Sequence, residues 1–375
     1  MSDGSPTVLR GRILCYRIFD IGDEIDLDRA EALLAGSPGR KRARLSREGS
    51  EALAFASPPL DVGMGRRQLH LPRLGQAIEA EISARFFDFA AVSVLFDVAI
   101  PPGTKLFDLL PLCDELYDTP VLEEVARVEF GPVVDRMAEA IDSRHLWPGV
   151  ETYTVIYVEE LEGHPTGREI LATPGLGKLL LGETNPKRLA SEERGDVIKH
   201  AYSYFEDDLA VIDWNSAFVL EPSGSRDIPD ILEFATSQLL ELRYFDDLLD
   251  AELGRIYDEV EASGGKWWAL FWSPYGKLAK KVMRQLLDLS EFTERVENSL
   301  KVIGDFYLAR VYRSAVRRFR IPSWQSSISR KQTLVAQVYE LLKGEVDMRR
   351  MTLLETAIVL LIVFEIVMAL VPGTS

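Results

Sequence analysis

Four carboxylates stand close enough in the chain to do chemistry together: the run Glu206-Asp207-Asp208 and, just beyond it, Asp213. A hard cation such as Mg²⁺ prefers oxygen ligands, so a metal-dependent enzyme would be built here. Neighbouring strand residues point to opposite faces, so three consecutive acids cannot all converge, and a solvated hairpin turn is the plainer reading. His70, His145, His164 and His200 are scattered and show no metal-ligand spacing. Gly175-Leu176-Gly177-Lys178 resembles part of a phosphate loop, but the first glycine and the following Ser or Thr are missing. There is no nucleophile elbow and no defensible Cys/His pair. No catalytic residue and no cofactor are expected, and metal ligation is left to the four carboxylates as the alternative reading.

Cationic chemistry is concentrated further on. Arg310, Arg313, Arg317 and Arg320 recur at intervals of three and four, which is one face of a helix. Arg318, Arg330 and Lys331 add to the set, and no acid occurs between Phe306 and Tyr339. Such a patch suits an anionic partner, RNA or the ribosome. The competing reading is internal ion pairing with an acid-rich helix expected over Asp227–Glu261, which carries Asp230, Glu233, Glu241, Asp246, Asp247 and Asp250. The basic loop Arg40–Arg47 reads as solvated.

The last informative stretch is apolar. From Thr356 to Leu370 every residue is apolar or small except Glu365. Leu353 to Val371 spans about 19 residues, close to the ~20 that a helix needs to cross hydrocarbon. The stretch is apolar all round rather than along one stripe, which favours a membrane span over a core helix. Lys343, Arg349 and Arg350 precede it and would hold the N-terminal part in the cytoplasm. Glu365 falls near the bilayer midplane, where a carboxylate costs about 3 kcal/mol or more. A second copy of the chain is the obvious partner, so the spans are expected to associate through Glu365. Glu355 lies at the start of the span, rotated about 80° from Glu365.

These residues need a scaffold. Arg12–Asp20, Ala77–Phe86, Val92–Ile100 and Thr152–Val158 read as strands, with shorter ones over 202–205, 209–213 and 218–220. Asp26 caps a first helix, and further helices are expected over Thr104–Tyr117, Pro120–Ile141 and Ser191–His200. Residues 1–225 thus form an α+β body with a mainly antiparallel sheet. Residues 226–350 form a long-helix stalk: one helix from Asp227 to Gly264, a second from Lys277 to Phe319 broken by Pro322, and a third from Ser326 that continues into the anchor at 351–372. An antiparallel order would bring the tip at residues 266–277 to the lipid interface. Trp267, Trp268, Phe271, Trp272 and Tyr275 there would join Arg349 and Arg350 as interfacial anchors; the competing reading packs this tip into protein.

Composition sets the outer limits. With 375 residues and 47% hydrophobic content, the chain can bury a sizeable core, and 27% charged residues exclude a polytopic membrane protein. A net charge of −16 argues against a general nucleic-acid binder while leaving room for a local basic patch. Two cysteines, Cys15 and Cys113, provide no disulfide framework and suit a reducing compartment. Residues 1–6 contain no apolar targeting segment, so tail-anchored topology is expected.

Tyr204-Phe205-Glu206-Asp207-Asp208-Leu209-Ala210-Val211-Ile212-Asp213-Trp214-Asn215 resembles the central signature of a known family. Leu239-Leu240-Glu241-Leu242-Arg243 with Asp246-Asp247 resembles its helix signature, and Leu353-Leu354-Glu355 opening a span with Glu365 resembles its C-terminal end. This is the "required for meiotic nuclear division" family of membrane-tethered proteins, and the resemblance covers roughly residues 85–371. It implies a homo-oligomeric scaffold without established catalytic residues, linked in eukaryotic relatives to translation at the mitochondrial inner membrane. Without a transit peptide, the expected residence is a bacterial inner membrane, with the mitochondrial inner membrane as the alternative. The expected partners are membrane lipid, further copies of the chain, and ribosome or RNA at the basic patch; no small-molecule substrate is indicated.

Overall fold

The computed structural model describes residues 5–35, 41–42, 57–185, 187, 190–263 and 306–370. Its centre is β1 (Thr7–Asp20), 14 residues long. From Ile13 to Phe19 the side chains are fully or almost fully buried on both faces, which explains the near-continuous apolar run there. β1 pairs antiparallel with β6 (Ala91–Ala99) on one side and with β9 (Glu151–Leu161) on the other. Outward from β6 follow β5 (Gln76–Phe86), β4 (Leu60–Leu71) and the short β3 (Lys41–Arg42). Outward from β9 follow β12 (Ser216–Leu220), β11 (Leu209–Ile212) and β10 (Ala201–Tyr202), which forms the edge. Short β7 (Thr104–Lys105) pairs with β1, and β2 (Glu24–Ile25) pairs with β8 (Ile141–Asp142) in a separate two-stranded sheet. All pairings but one are antiparallel; β12 joins β9 in parallel. The N-terminal part is therefore the α+β body with a mainly antiparallel sheet that the strand pattern predicts.

One core holds this body together. It combines Ile13, Phe19, Phe96, Val94 and Ile156 from the strands with Cys113, Leu116, Leu122, Phe130 and Leu179 from helices α2 (Leu110–Tyr117), α3 (Pro120–Arg136) and α5 (Gly175–Leu181). Further helices are α1 (Leu27–Leu33), capped by Asp26 as predicted, α4 (Gly167–Ala172) and α6 (Ser191–Ile198). The next helix, α7 (Asp227–Ser263), brings Asp230 and Glu233 to Arg85 on β5, at 2.9 and 2.5 Å, while Asp61 on β4 holds the same guanidinium at 2.8 Å. Phe234 of α7 packs against Phe87 and Phe89.

Several expected bounds change. Thr104–Tyr117 is not one helix: β7, a 3-10 turn at Leu106–Leu109 and α2 share it. α3 ends at Arg136, because Met137 leaves helical geometry. Strand β4 has no counterpart in the expected list, since Gly63, Gly65, Arg66 and Arg67 interrupt apolar alternation. Gly65 sits at φ +85° beside a bulge between β4 and β5. The expected strand over 202–205 contracts to β10, leaving residues 203–208 as a loop. The helix expected from Ser326 begins earlier, at Ile321, because Arg320 takes a left-handed φ of +56° and Pro322 sits in the first turn, where its missing N–H costs nothing.

The chain divides into two units, Met1–Tyr244 with Arg295–Trp324, and Phe245–Glu294 with Gln325–Ser375. The boundary expected at residue 225 therefore moves into α7, whose first half buries Ile231, Leu232 and Ala235 in the body. In the second unit, Leu249, Ile328 and Val335 are buried, and Lys331 pairs with Asp246 and Asp250 at 2.8 and 2.6 Å. Helix Ile321–Leu370 runs on for 50 residues. Its side chains are described as far as Val367, so the apolar part from Met351 measures about 17 residues, short of the ~20 of a full span. Among the described residues no helix is long and apolar enough to cross a membrane. The expected span, Leu353–Val371, extends past them. The tip at residues 266–277, with Trp267, Trp268, Phe271, Trp272 and Tyr275, and the helix expected over 277–305 also lie outside the described residues.

Candidate anionic-partner interface

The four candidate carboxylates are separated by their local geometry. Asp208 is buried and folds back on its own loop, accepting from the backbone N–H of Tyr204 at 2.7 Å and of Phe205 at 2.9 Å. Asp213 is fully buried at the β11–β12 turn, which its own N–H closes on the Ser216 carbonyl at 2.8 Å. Asp213 Oδ1 accepts from Trp214 N–H and from the Arg318 guanidinium, whose Nε is 2.8 Å away. Arg318 Nη1 donates to Asp196 at 2.7 Å, and this contact holds the Asp196 carboxyl below the usual carboxylate range. Glu206 and Asp207 stay exposed on the loop. Among the described residues, no group of three His, Cys, Asp or Glu side chains could hold a metal ion. The carboxylate run is thus a loop clamp at Asp208 and a helix clamp at Asp213.

The arginines divide in the same way. Helix Phe306–Arg318 lies along the β10–β11 edge, burying Leu308, Val311 and Ala315. Arg318 points inward to Asp213. Arg310, Arg313, Arg317 and Arg320 are exposed, and none of the four forms an ion pair with a described residue. The acid-rich α7 does not neutralise them. In the second unit, Lys331 is bound by Asp246 and Asp250, while Arg330 stays exposed. Of the two readings of the basic patch, internal pairing describes Lys331 and Arg318 with different partners, while the row of four stays exposed.

Aromatic rings adjoin that row, a feature the sequence reading missed. The Arg310 guanidinium lies 5.6 Å from the ring centres of both Tyr202 and Tyr307. Tyr307 contacts Tyr204 at 5.5 Å, and Tyr204 meets Phe205 edge-on at 4.7 Å. Tyr204, Phe205 and Trp214 are each more than 60% exposed, against the usual fate of rings in a strand. The available signal was the pair Tyr204-Phe205 followed directly by three acids, a poor continuation for a buried strand.

A second cluster also escaped notice. Asp20, at the end of β1, is fully buried and receives Gly22 N–H at 3.2 Å, and His145 Nε2 stands 3.2 Å from the same oxygen as an ion-pair partner. Glu241 of α7 is buried nearby, with one carboxyl oxygen unpartnered, as is Asp20 Oδ2. Tyr244 stacks on His145 at 5.0 Å, with Trp147 edge-on at 6.2 Å. Burial pushes both carboxyls up, and the hydrogen bond to Asp20 raises His145 to about 8. Residues so far apart in the chain leave no local spacing to read. Next to Glu241 in the helix signature, Arg243 pairs with Glu151 on β9.

An uncharacterised protein of Methanocaldococcus jannaschii, MJ0711, is 26% identical over 185 residues, 49% of this chain and 56% of that protein. The chain thus spans about half the length of the curated relative it matches. No solved structure matches. The family described as "Uncharacterized protein MJ0711, N-terminal domain" matches residues 10–226. Because that match takes in more than half of the chain, from β1 to the threshold of α7, the protein belongs to the MJ0711 N-terminal-domain family.

Proposed function

We propose that this protein is a non-enzymatic, membrane-held, self-associating scaffold that presents the Arg310–Arg320 row to an anionic partner of the translation machinery. One observation carries the reading. Leu360, Leu361 and Ile362, consecutive residues turned about 100° from one another around helix Ile321–Leu370, are 63, 64 and 51% exposed, and every residue from Leu354 to Val367 is exposed. Leaving about ten such side chains in water forfeits on the order of 20 kcal/mol, whereas lipid removes that penalty. The opposing cost of Glu365 in hydrocarbon, about 3 kcal/mol, is much smaller. Arg349 and Arg350 precede the stretch in the same helix and favour a cytoplasmic N-terminal side, as at a bacterial inner membrane. The motifs at 204–215 and 239–247, similar to those of the "required for meiotic nuclear division" family, support the tether and its link to translation.

Glu365 supplies the test of self-association. The full chain is expected to stay with membranes through an alkaline carbonate wash and to crosslink into an oligomer there. Glu365→Leu removes the buried acid, so the oligomer weakens while membrane retention is unchanged. Release of the wild-type chain by carbonate rejects the anchor, and an undiminished oligomer in the variant rejects pairing through Glu365.

A further inference from the structure

We propose that Tyr204, Phe205 and Tyr307, together with Arg310, Arg313 and Arg317, form a platform for unpaired RNA, with bases on the rings and phosphates on the guanidinium row. The inference rests on the reading of the arginine row as a site for an external anion, and it names that anion.

Three features converge. First, two of the rings are exposed: Tyr204 is 62% and Phe205 65% exposed, just past strand β10, while Tyr307 is half-buried beside them. Asp208 fixes the loop that carries them through two short bonds to their own backbone N–H groups, at 2.7 and 2.9 Å. The rings are therefore presented on a rigid base rather than on a loose tip. Second, Tyr204 and Phe205 meet edge to face, with their planes at 87°, so their mutual contact covers a face of only one of the two rings. A flat base can lie on what is left, and any base has the π-face this requires. Third, charge lies alongside. Arg310 spans the rings of Tyr202 and Tyr307, and Arg313 and Arg317 continue the row along the same helix for about 10 Å. None of the three is neutralised by a described carboxylate.

Alternating stacking surfaces and cations is how single strands are held without reading their sequence. A duplex keeps its bases stacked inside, so it could use the arginines but not the rings. A bilayer surface fits less well. Glu206 and Asp207 are exposed and directly follow Phe205, so pressing the rings into lipid would desolvate two carboxylates. An extended strand lying across the rings leaves those acids in water.

The test uses the full chain in neutral phosphatidylcholine nanodiscs and a fluorescent oligouridylate RNA of about 12 nucleotides, within the footprint of single-strand binders. Wild-type binding is expected to weaken as salt rises. Tyr204→Ala with Phe205→Ala should weaken it about tenfold at fixed salt and leave the salt slope unchanged. Phe205→Trp should retain binding. Arg313→Gln with Arg317→Gln should instead reduce the logarithmic salt slope by about one to two. Equal affinity for a duplex RNA of the same length, or wild-type affinity in the double aromatic variant, overturns the platform while the anion-binding row still stands. Capture of phosphatidylserine vesicles through these residues, with no oligouridylate bound, also overturns it and assigns the patch to lipid. Carbonate-resistant membrane retention is indifferent to every one of these variants, so the tether and the platform fail separately.

Discussion

Replacing Arg318 with methionine is expected to destabilise the N-terminal unit by about 3–5 kcal/mol, the usual cost of leaving a buried charge without its partner. Asp213 is fully buried, and among the described residues the cation that pairs with it is this guanidinium. Among the described residues Oδ2 already lacks a hydrogen-bond partner, so removing Arg318 leaves the carboxylate with the Trp214 N–H alone there. Methionine keeps most of the aliphatic length, which separates the loss of charge from the loss of packing. Damage should centre on the β11–β12 turn, where Tyr153 Oη also donates to the Asp213 and Ser216 carbonyls at 3.0 and 2.9 Å. Hydrogen exchange reads this locally: amides of β11 and β12 should lose protection by a factor of several hundred, more than those of β5 and β6. The double variant Arg318→Met, Asp213→Asn should recover much of the loss, because no buried charge is then stranded. If the single variant exchanges like the wild type, the clamp is not what holds helix Phe306–Arg318 to the sheet edge.

That clamp also shows where sequence reading works and where it stops. β1, β5, β6 and β9 were legible because each is a run of apolar or alternating residues, and burial on one or two faces leaves that signature directly in the chain. The same logic failed at β4, where a bulge and four small or charged residues erase the alternation while backbone pairing persists. Residue types located the carboxylates and arginines but not their pairings. Asp213 and Arg318 are separated by 105 positions, so only the folded chain distinguishes a helix clamp from a metal ligand. Lys331 and Arg317 look alike in sequence, yet one is tied to Asp246 and Asp250 and the other stays exposed. Asp20, His145 and Glu241 come together from three distant segments, which is a property of topology rather than spacing.

The stability of this last cluster should depend on pH in a direction fixed by its chemistry. Around Glu241 lie Asp20, Asp23 and Tyr244, with His145 on the far side of Asp20. Burial, then repulsion from Asp20 and Asp23, drives Glu241 far above the usual carboxylate range, and burial drives Asp20 upward too. His145 is raised to about 8. All three groups hold a proton more tightly in the fold than in the unfolded chain. Their contribution is therefore complete below the unfolded carboxylate range, near pH ~4, and is lost as pH rises. The carboxyl part is lost from there toward the raised folded values, and the imidazole part between about 6.5 and about 8. Glu241→Gln keeps the shape of the protonated acid and cannot ionise. Compared with wild type it should be about equally stable at pH ~5 and more stable at pH ~8, by on the order of 2 kcal/mol, the scale of a buried polar group relieved of an unmet demand. Denaturation midpoints of the two proteins across that range decide it. Parallel curves would mean that Glu241 finds a charge partner in solution. Diverging curves, with the variant ahead only at high pH, would mean that α7 is seated on the sheet with a proton on Glu241 that alkali removes.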